Sequence, residues 1–361
     1  MIEQIKNSKR VILLEPNYRR KYLPLGLAKI ASMVKSNGGE VFYQRVYTPL
    51  CEDAVCITSL FTYDSDKVIN SIKRIKYLSP GVPIFVGGVY ASLMPNHLLK
   101  NCPEIQIFQG YSKELESYPA DYTINWNLEP EWSNFSYLFT SRGCPNRCPY
   151  CAVSRLEPEL WINDEWPNQV DFNKPFVMIF DNNLTSQPIE HIENVCKFLK
   201  ENNKKVVFDN GFDCKYFTSE HARLLSTVKY FRNGFRLAFD RIEEDGLFQR
   251  AVKTALEAGI PAYSMMAYVL FNFHDSPKEA NYRMSECLKY NLYPYPQQYI
   301  PLHSTNRKSC HVGEKWTKNL LKCFRHFWLM PAIHRKMTFE EFVTRDNEFK
   351  LAEEDWAKWM A

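Results

Sequence analysis

The chain of 361 residues has no apolar run long enough to cross a membrane. Its first ten residues, Met1 to Arg10, lack the pattern of a secretory signal peptide. Charge of one sign is not in large excess: 45 basic and 41 acidic residues leave a net charge of +4, which indicates no class of partner. Eleven cysteines without a secretion signal favour a reducing cytoplasm, where disulfides are rare.

What the chain does have is three close cysteines, Cys144, Cys148 and Cys151, spaced Cys-x3-Cys-x2-Cys. Gly143 and the prolines that follow two of the cysteines predict a loop rather than a helix, so that the sulfurs can converge. Iron–sulfur clusters are normally held by four thiolates, and three would leave one iron open to a substrate or cofactor. Zinc needs four ligands, usually as two pairs, and no second close pair follows. A disulfide would need an oxidising compartment.

This cysteine run resembles the signature of the radical S-adenosylmethionine (SAM, AdoMet) superfamily, Cys-x3-Cys-x-aromatic-Cys, with Tyr150 in the aromatic position. The resemblance implies an enzyme that holds a 4Fe-4S cluster through Cys144, Cys148 and Cys151. It also implies that AdoMet binds the open iron and is reductively cleaved to a 5′-deoxyadenosyl radical, which abstracts hydrogen from a substrate that the sequence does not identify. The partner would be a reductant such as flavodoxin or ferredoxin.

Strand-like and helix-like runs alternate over residues 1–115, which predicts a parallel, doubly wound sheet. The resemblance is to short radical SAM proteins with a cobalamin-binding-type, Rossmann-like (flavodoxin-like) domain in front, and it covers about residues 8–300. The predicted strands are 10–15, 40–46, 54–61, 83–88 and 105–108. The predicted helices are 24–35, 65–78 and a short one before the last strand.

The front domain keeps only part of the cobalamin fingerprint, which is Asp-x-His-x-x-Gly, Ser-x-Leu and Gly-Gly. The loop Glu15–Lys21 has no histidine to bind cobalt, Thr58–Leu60 matches the second part loosely, and Gly87–Gly88 supplies the third. The runs Pro24–Ala28 and Val86–Gly88 are typical of such domains. Two interpretations stay open: a cobalamin bound without a histidine ligand, or an inherited fold with an empty or repurposed pocket.

Residues 116–135 are predicted to be a linker, because prolines and turn residues interrupt any regular pattern. Residues 136–301 resume the alternation after an insertion at 156–174, and the resemblance implies a partial (β/α)6 TIM-like barrel; periodicity alone would allow an open sheet. The predicted strands are 137–140, 176–180, 205–208, 235–239, 262–270 and a run near 297–300. The predicted helices are 189–200, 220–226, 246–258 and 278–290.

In βα barrels the chemistry collects at the carboxyl ends of the strands. Asp181, Asn182 and Asn183 follow one predicted strand, at the place where the family binds the AdoMet amino group, often with Gly-Gly-Glu. This chain departs from that motif, so backbone carbonyls or the Asp181 carboxylate would accept from the ammonium. The alternative is an Asx turn that ends the strand.

Further candidates follow the next strands. Asn210 and Asp213 suit ribose hydroxyls, and Lys215 or Arg236 would pair with the AdoMet carboxylate. The alternative for Arg236 is a structural ion pair, with Asp240 at the end of the same strand. The family resemblance implies that Tyr150 places its neighbouring backbone against adenine.

Residues 302–361 are predicted to be a helical extension. Asn306–Lys336 is basic and contains Trp316, Phe324, Phe327 and Trp328, a mixture that could bind nucleic acid or form a solvated amphipathic helix on the barrel. A second metal at Cys310, His311, Cys323 and His326 is a further hypothesis, although the spacing matches no common template. After Thr338 the charge reverses, and the pattern predicts an amphipathic terminal helix that covers the barrel or a dimer partner.

Three functions follow from these observations. The first is a radical SAM enzyme, and the second is a cobalamin-dependent radical SAM methyltransferase, which the missing histidine weakens. The third, from another class, is a nucleic-acid- or protein-binding module with a structural cluster.

Overall fold

The computed structural model describes residues 1–19, 22–306, 311–345 and 347–361. They form two compact units. The first comprises Met1–Phe180 with the described part of Leu302–Ser309, and the second comprises Asp181–Pro301 with the described part of Cys310–Ala361. The first unit thus contains the predicted front domain, the predicted linker and the cysteine loop. Both units combine helices with parallel strands, so the predicted α/β class is confirmed.

A five-stranded, all-parallel sheet forms the core of the first unit. The strands described in this unit are β1 (Arg10–Leu14), β2 (Glu40–Gln44), β3 (Ala54–Thr58), β4 (Ile84–Gly87), β5 (Gln106–Ile107), β6 (Phe135–Leu138), β7 (Ser141–Arg142), β8 (Trp161–Ile162) and β9 (Phe176–Ile179). The sheet order is β2-β1-β3-β4-β5, so chain order reverses direction between β1 and β3. Strand β6 pairs in parallel with β9, and β7 pairs antiparallel with β8.

The helices described in this unit are α1 (Ile2–Lys6), α2 (Leu25–Ser36), α3 (Ser65–Leu78), α4 (Val89–Leu93), α5 (Pro95–Asn101), α6 (Lys113–Glu116), α7 (Pro130–Ser133) and α8 (Val153–Leu156). Two of these eight helices, α2 and α3, match predicted helices, and several short ones were not predicted. In α3 the apolar residues Val68, Ile72 and Ile75 recur at helical spacing and are fully buried in the core of the sheet. The predicted short helix before β5 is two helices, because Pro95 starts a new one. The predicted linker contains the one-turn helix α7.

The second unit continues the βα alternation. Its described strands are β10 (Lys205–Phe208), β11 (Lys229–Tyr230), β12 (Phe235–Ala238), β13 (Met265–Phe271) and β14 (Tyr293–Gln298). Its described helices are α9 (Ile189–Glu201), α10 (Ser219–Leu225), α11 (Leu247–Glu257), α12 (Pro277–Lys289), α13 (Lys318–Leu329), α14 (Pro331–His334), α15 (Phe339–Arg345) and α16 (Glu353–Met360). Strands β12, β13 and β14 form a parallel sheet in that order, and β10 pairs in parallel with β11.

Short 3₁₀ segments complete the secondary structure, at Thr62–Asp64, Trp166–Gln169, Leu184–Ser186, Ile242–Glu244, Ala262–Ser264 and Asn347–Phe349. Within the ranges that the structure describes, no helix is both long enough and apolar enough to span a bilayer.

The basic C-terminal segment packs as an amphipathic helix. Trp316, Phe324, Phe327 and Trp328 are all at least 97% buried, whereas Lys322 and the other basic side chains of α13 face solvent. The aromatic rings are therefore in the core of the second unit and are not presented for stacking on bases. Arg307 and Lys308, which belong to the basic segment Asn306–Lys336, lie outside the described residues.

Within that aromatic core, His334 is buried at the end of α14, with its ring 5.2 Å from the ring of Trp328. Neither ring nitrogen has a hydrogen-bond partner among the described residues. Burial, and secondarily the charge of Arg335, lowers the pKa of His334 to about 4. The native state therefore holds the imidazole neutral, whereas the unfolded chain takes up a proton near pH 6.5.

We expect this histidine to make the protein less stable as the pH falls from about 6.5 towards 4, because the unfolded state then binds the extra proton. Between pH 7 and pH 5 the loss in unfolding free energy should be about 1–2 kcal/mol. His334→Phe, which keeps a ring in the cluster, should reduce the pH dependence by that amount in urea-unfolding curves. If the unfolding free energy of the variant still falls by the wild-type amount between pH 7 and pH 5, His334 is not the source of the pH dependence.

Candidate metal centre

The three cysteines lie on the loop between β7 and α8, as their spacing and the prolines predict. The Cys151 N–H donates to the Cys148 carbonyl at 3.0 Å and closes a tight turn that carries Tyr150. All three cysteines and Tyr150 are partly exposed. The loop therefore presents three thiol-bearing residues near the surface of the first unit.

The loop begins at a residue that has to be glycine. Gly143 has φ +85°, and a Cβ there would lie 2.8 Å from the carbonyl carbon of Glu159 and closer still to its oxygen. Two constraints thus act on this position: the left-handed backbone conformation and the close approach of the backbone segment that precedes β8. The glycine directs the chain out of β7 and into the cysteine loop.

Arg142, the residue before this glycine, is anchored on both sides. Its guanidinium carbon lies 3.3 Å from the centroid of the Phe139 ring, and its Nη1 donates to Glu157 Oε1 at 2.7 Å. The other oxygen of Glu157 accepts the Gly143 N–H at 2.9 Å. One carboxylate therefore fixes both the side chain of Arg142 and the backbone of the first loop residue.

The ion-paired groups around Arg142 remain charged in the folded protein. Burial alone would lower the pKa of Arg142, but Glu116 and Glu157 outweigh it and the net direction is upward. Burial alone would raise the pKa of Glu116, but Arg142 and Lys29 outweigh it and the net direction is downward. The loop therefore starts from a compensated, buried set of ion pairs rather than from neutral groups.

A pocket of about 590 Å³ opens beside the first cysteine. It is lined by residues from the loop and from the segment after it, which are Cys144, Pro145, Arg147, Ser154, Pro158 and Leu160. Only one of the three cysteines lines this pocket. Its wall combines apolar surface with one guanidinium and one hydroxyl, so it can receive a ligand that carries both apolar and anionic parts.

The loop supplies thiols, which are the donor type of a cubane iron–sulfur cluster. Such a cluster normally takes one thiolate on each of its four irons, so the three partly exposed cysteines would hold three irons and leave the fourth without a ligand from the loop. No three His, Cys, Asp or Glu side chains among the described residues are grouped to hold one metal ion. A cluster does not need that arrangement, since each thiolate binds a different iron.

In the second unit, Asp181 and Asn183 are buried and Asn182 is partly exposed. The Thr185 hydroxyl donates to Asn183 Oδ1 at 3.0 Å, and the Asn183 carbonyl accepts from Ser186. These bonds form a short 3₁₀ turn at Leu184–Ser186, directly after the strand. Asn182 instead accepts from Asn210 Nδ2 at 3.3 Å, so two predicted site residues from different loops meet.

The loop after β10 holds the other predicted polar residues. Asp213 Oδ1 accepts the Lys215 N–H at 2.9 Å, which makes an Asx turn. Asn210 and Lys215 are exposed, and the Lys215 ammonium lies 5.4 Å from the ring centroid of Tyr216. Asn210 and Lys215 are thus accessible, whereas Asp213 shapes the turn that carries Lys215.

Arg236 forms an ion pair, but its partner is not Asp240. Arg236 Nη1 donates to Asp209 Oδ1 at 2.5 Å, to the Asp209 carbonyl at 2.9 Å and to the Tyr268 hydroxyl. Four residues of extended strand span about 13 Å, too far for a pair between Arg236 and Asp240. Tyr268 on β13 completes the arrangement and was not predicted; the hydroxyl inside an otherwise apolar strand was its only signal.

Asp240 has a different role. Its Oδ1 accepts the Leu270 N–H at 3.1 Å, and its own N–H donates to Glu244 at 2.8 Å. Burial, followed by the nearby charge of Glu244, raises the pKa of Asp240 to about 7. This carboxyl group can therefore gain or lose a proton near neutral pH, a property that the sequence does not reveal.

The segments that match the cobalamin fingerprint lie at the carboxyl ends of β1, β3 and β4 in the first unit, and they bind one another. Ser59 Oγ donates to the Gly87 carbonyl at 2.8 Å and accepts the Ala91 N–H at 2.9 Å. Tyr18 is 3% exposed and donates its hydroxyl to the Thr58 carbonyl at 3.2 Å. The loop between β1 and α2 contains no histidine to bind cobalt, and the Tyr18 and Ser59 hydroxyls at this edge are already bonded to neighbouring backbone carbonyls.

The hypothesis of a second metal falls partly outside the described residues, since Cys310 is among those not described. Cys323 is fully buried and its thiol lies 3.3 Å from the Phe349 carbonyl, and the His326 ring stacks on Phe349 at 4.2 Å. His311 lies with its ring 5.4 Å from that of Tyr299. The described members of the group are therefore engaged in the packing of the second unit.

No family model and no curated protein matches this chain. Among solved structures, the chain is similar to the carboxyl transferase domain of Rhizobium etli pyruvate carboxylase, with 12% identity, a TM-score of 0.25, and coverage of 82% of this chain and 40% of that one. The same domain with pyruvate and biocytin gives 12% identity, a TM-score of 0.26, and coverage of 94% and 48%. The chain thus spans less than half the length of these proteins.

Proposed function

We propose that this protein is a radical SAM enzyme, in which Cys144, Cys148 and Cys151 hold a 4Fe-4S cluster. The observation that carries the proposal is the Cys-x3-Cys-x-Tyr-Cys loop, entered through a glycine that no other residue can replace without a backbone collision. Bound there, the cluster would supply the electron, received from a reductant such as flavodoxin or ferredoxin, that splits AdoMet into methionine and a 5′-deoxyadenosyl radical.

The chain's own residues have distinct tasks in this proposal. The three cysteines bind the cluster, and the Tyr150 turn offers backbone groups to adenine. The amide pair of Asn182 and Asn210 offers hydrogen bonds to a ribose. For the AdoMet carboxylate we favour Lys215 over Arg236, because Lys215 is exposed whereas Arg236 is already bound by Asp209 and Tyr268.

The finer fold assignment belongs to the same proposal. The strand order 2-1-3-4-5 of the first sheet supports a flavodoxin-like, doubly wound front domain. The parallel β12-β13-β14 sheet with its connecting helices supports a partial (β/α)6 barrel. Cobalamin-dependent methyl transfer has no comparable support, since the loop after β1 offers no histidine for cobalt and the Tyr18 and Ser59 hydroxyls at this edge are bonded to neighbouring backbone groups.

The test is anaerobic reconstitution with iron and sulfide, followed by dithionite and AdoMet. We expect 5′-deoxyadenosine and methionine by liquid chromatography and mass spectrometry, and neither product from Cys148→Ala or Cys151→Ala. Cys51→Ser is the matched control, because Cys51 is an exposed cysteine of the same unit outside the loop. It should retain full activity.

Two other outcomes would overturn the proposal. An intact cluster that yields no 5′-deoxyadenosine would favour a binding module with a structural cluster. Zinc, or no bound inorganic centre, in protein prepared without air would rule out a cluster-based function of either kind.

A further inference from the structure

A fully buried lysine lies in the first unit, far along the chain from the cysteine loop. Lys29 is in the middle of α2 and is 1% exposed. Lysine is almost never buried to this degree unless its charge is paired. Its Nζ donates to Glu116 Oε2 at 2.9 Å, to Gln169 Oε1 at 2.8 Å and to the Glu116 carbonyl at 3.5 Å. All three protons of the ammonium therefore have acceptors.

Glu116 joins this lysine to the cysteine loop. One of its carboxylate oxygens accepts from Lys29 and the other accepts from Arg142 Nη2. The Glu116 backbone carbonyl also accepts from the side chains of Gln169 and Asn163. Glu116 is thus the shared acceptor of two buried cations, and one of those cations immediately precedes the loop.

A continuous series of contacts connects helix α2 with Gly143, the first residue of the cysteine loop. Lys29 binds Glu116, Glu116 binds Arg142, Arg142 binds Glu157, and Glu157 accepts the Gly143 N–H. The set contains two cations and two anions, so its buried charge is balanced. Loss of Lys29 would leave two carboxylates competing for a single guanidinium in a buried site, which is strongly unfavourable.

We propose that Lys29 and Glu116 are positioning residues of the cysteine loop, which hold Arg142 and through it the start of the cluster-binding segment. The inference rests on the proposed function, because it assigns the loop a cluster to hold. In this proposal helix α2 supports the cysteine loop through Lys29, a role that does not require a cobalamin. Outer partners that orient metal ligands typically change metal affinity by about 10–100-fold when they are removed.

The test compares Lys29→Met with Lys35→Met. Lys35 lies on the same helix and is also ion-paired, at 2.6 Å from Asp121, but its described partners Asp121 and Thr123 lie outside the cysteine loop. In the metal-free protein, hydrogen–deuterium exchange of the segment around Gly143 should be faster in Lys29→Met and unchanged in Lys35→Met. After reconstitution, iron release to a chelator should be about tenfold faster in Lys29→Met only.

Glu116→Gln, which keeps the size of the side chain, serves as the second variant and should show the same two effects. The proposal is wrong if both variants keep wild-type exchange at the loop, or if both lose the whole fold by circular dichroism, since the network would then be only a general stabiliser. The hydrogen–deuterium exchange measurement uses metal-free protein, so it tests the positioning role whether or not a cluster binds. If the wild-type protein binds no iron, the proposed function is refuted, but the exchange result still decides the positioning role.

Discussion

Gly143→Ala is expected to abolish cluster binding while the remainder of the first unit still folds. The residue has φ +85°, where an L-residue costs about 1–2 kcal/mol. The added Cβ would also lie 2.8 Å from the Glu159 carbonyl carbon and 3.2 Å from the Leu160 Cα. Both are backbone atoms leading into β8, which is paired with β7, so neither can move without disturbing the entry to the loop. Iron bound after reconstitution, measured per protein chain, should fall to near zero.

Gly81→Ala is the matched control for this change. Gly81 lies in the same unit with φ +89°, and a Cβ there meets no described heavy atom within 4 Å. It therefore imposes the backbone strain without the collision, and we expect normal iron content with a small loss of thermal stability. Equal iron content in the two variants would show that the close approach at Gly143 has no bearing on the loop.

The local elements of this protein could be predicted from sequence because local patterns determine them. The apolar spacing predicts a helix at 65–78, and α3 has these bounds in the structure. Strand β10 likewise begins and ends at the predicted residues, 205 and 208. The strand predicted at 262–270 starts later, at Met265, because the residues after Pro261 form a 3₁₀ turn. The cysteine loop is a loop for the predicted reason, since glycine and proline interrupt any helix.

The parts that escaped prediction depend on contacts between distant residues. Lys29 sits within the predicted helix 24–35, where a lysine normally faces solvent. Its burial depends on Glu116 and Gln169, which are 87 and 140 residues away. Likewise β7 and β8 have two residues each, and only their pairing makes them strands. Patterns of apolar spacing contain no information about such partners.

The choice of ion-pair partner shows the same limit. Sequence proximity favoured Asp240 as the partner of Arg236, yet the fold supplies Asp209 from the loop after β10 and Tyr268 from β13. The raised pKa of Asp240 also depends on burial and on the neighbouring Glu244. Residue type and position identified the region of the candidate site, but the tertiary contacts decide which groups are available to a ligand.

The second large effect is expected from Gly88→Ala, which should destabilise the front sheet by about 3 kcal/mol or more. Gly88 has φ +104° and ψ −172°, a region that is essentially restricted to glycine. Its Cβ would lie 2.5 Å from the Ser59 carbonyl oxygen. Ser59 donates its N–H and its hydroxyl to the Gly87 carbonyl, and its own carbonyl accepts the Tyr90 N–H. Any displacement of Ser59 therefore breaks the junction between β3 and α4.

Gly87→Ala provides the comparison for this prediction, because it adds the same methyl group one residue earlier. The nearest atom to a Cβ at Gly87 is the Phe108 Cβ at 3.8 Å, an ordinary contact, and the backbone there is that of strand β4. In urea unfolding, the free energy of unfolding of Gly87→Ala should lie within about 1 kcal/mol of the wild-type value and well above that of Gly88→Ala. If the two variants unfold alike, the approach of Ser59 is not what requires glycine. If they differ as expected, Gly88 is explained by the fold of the sheet itself, without a bound cofactor at this edge.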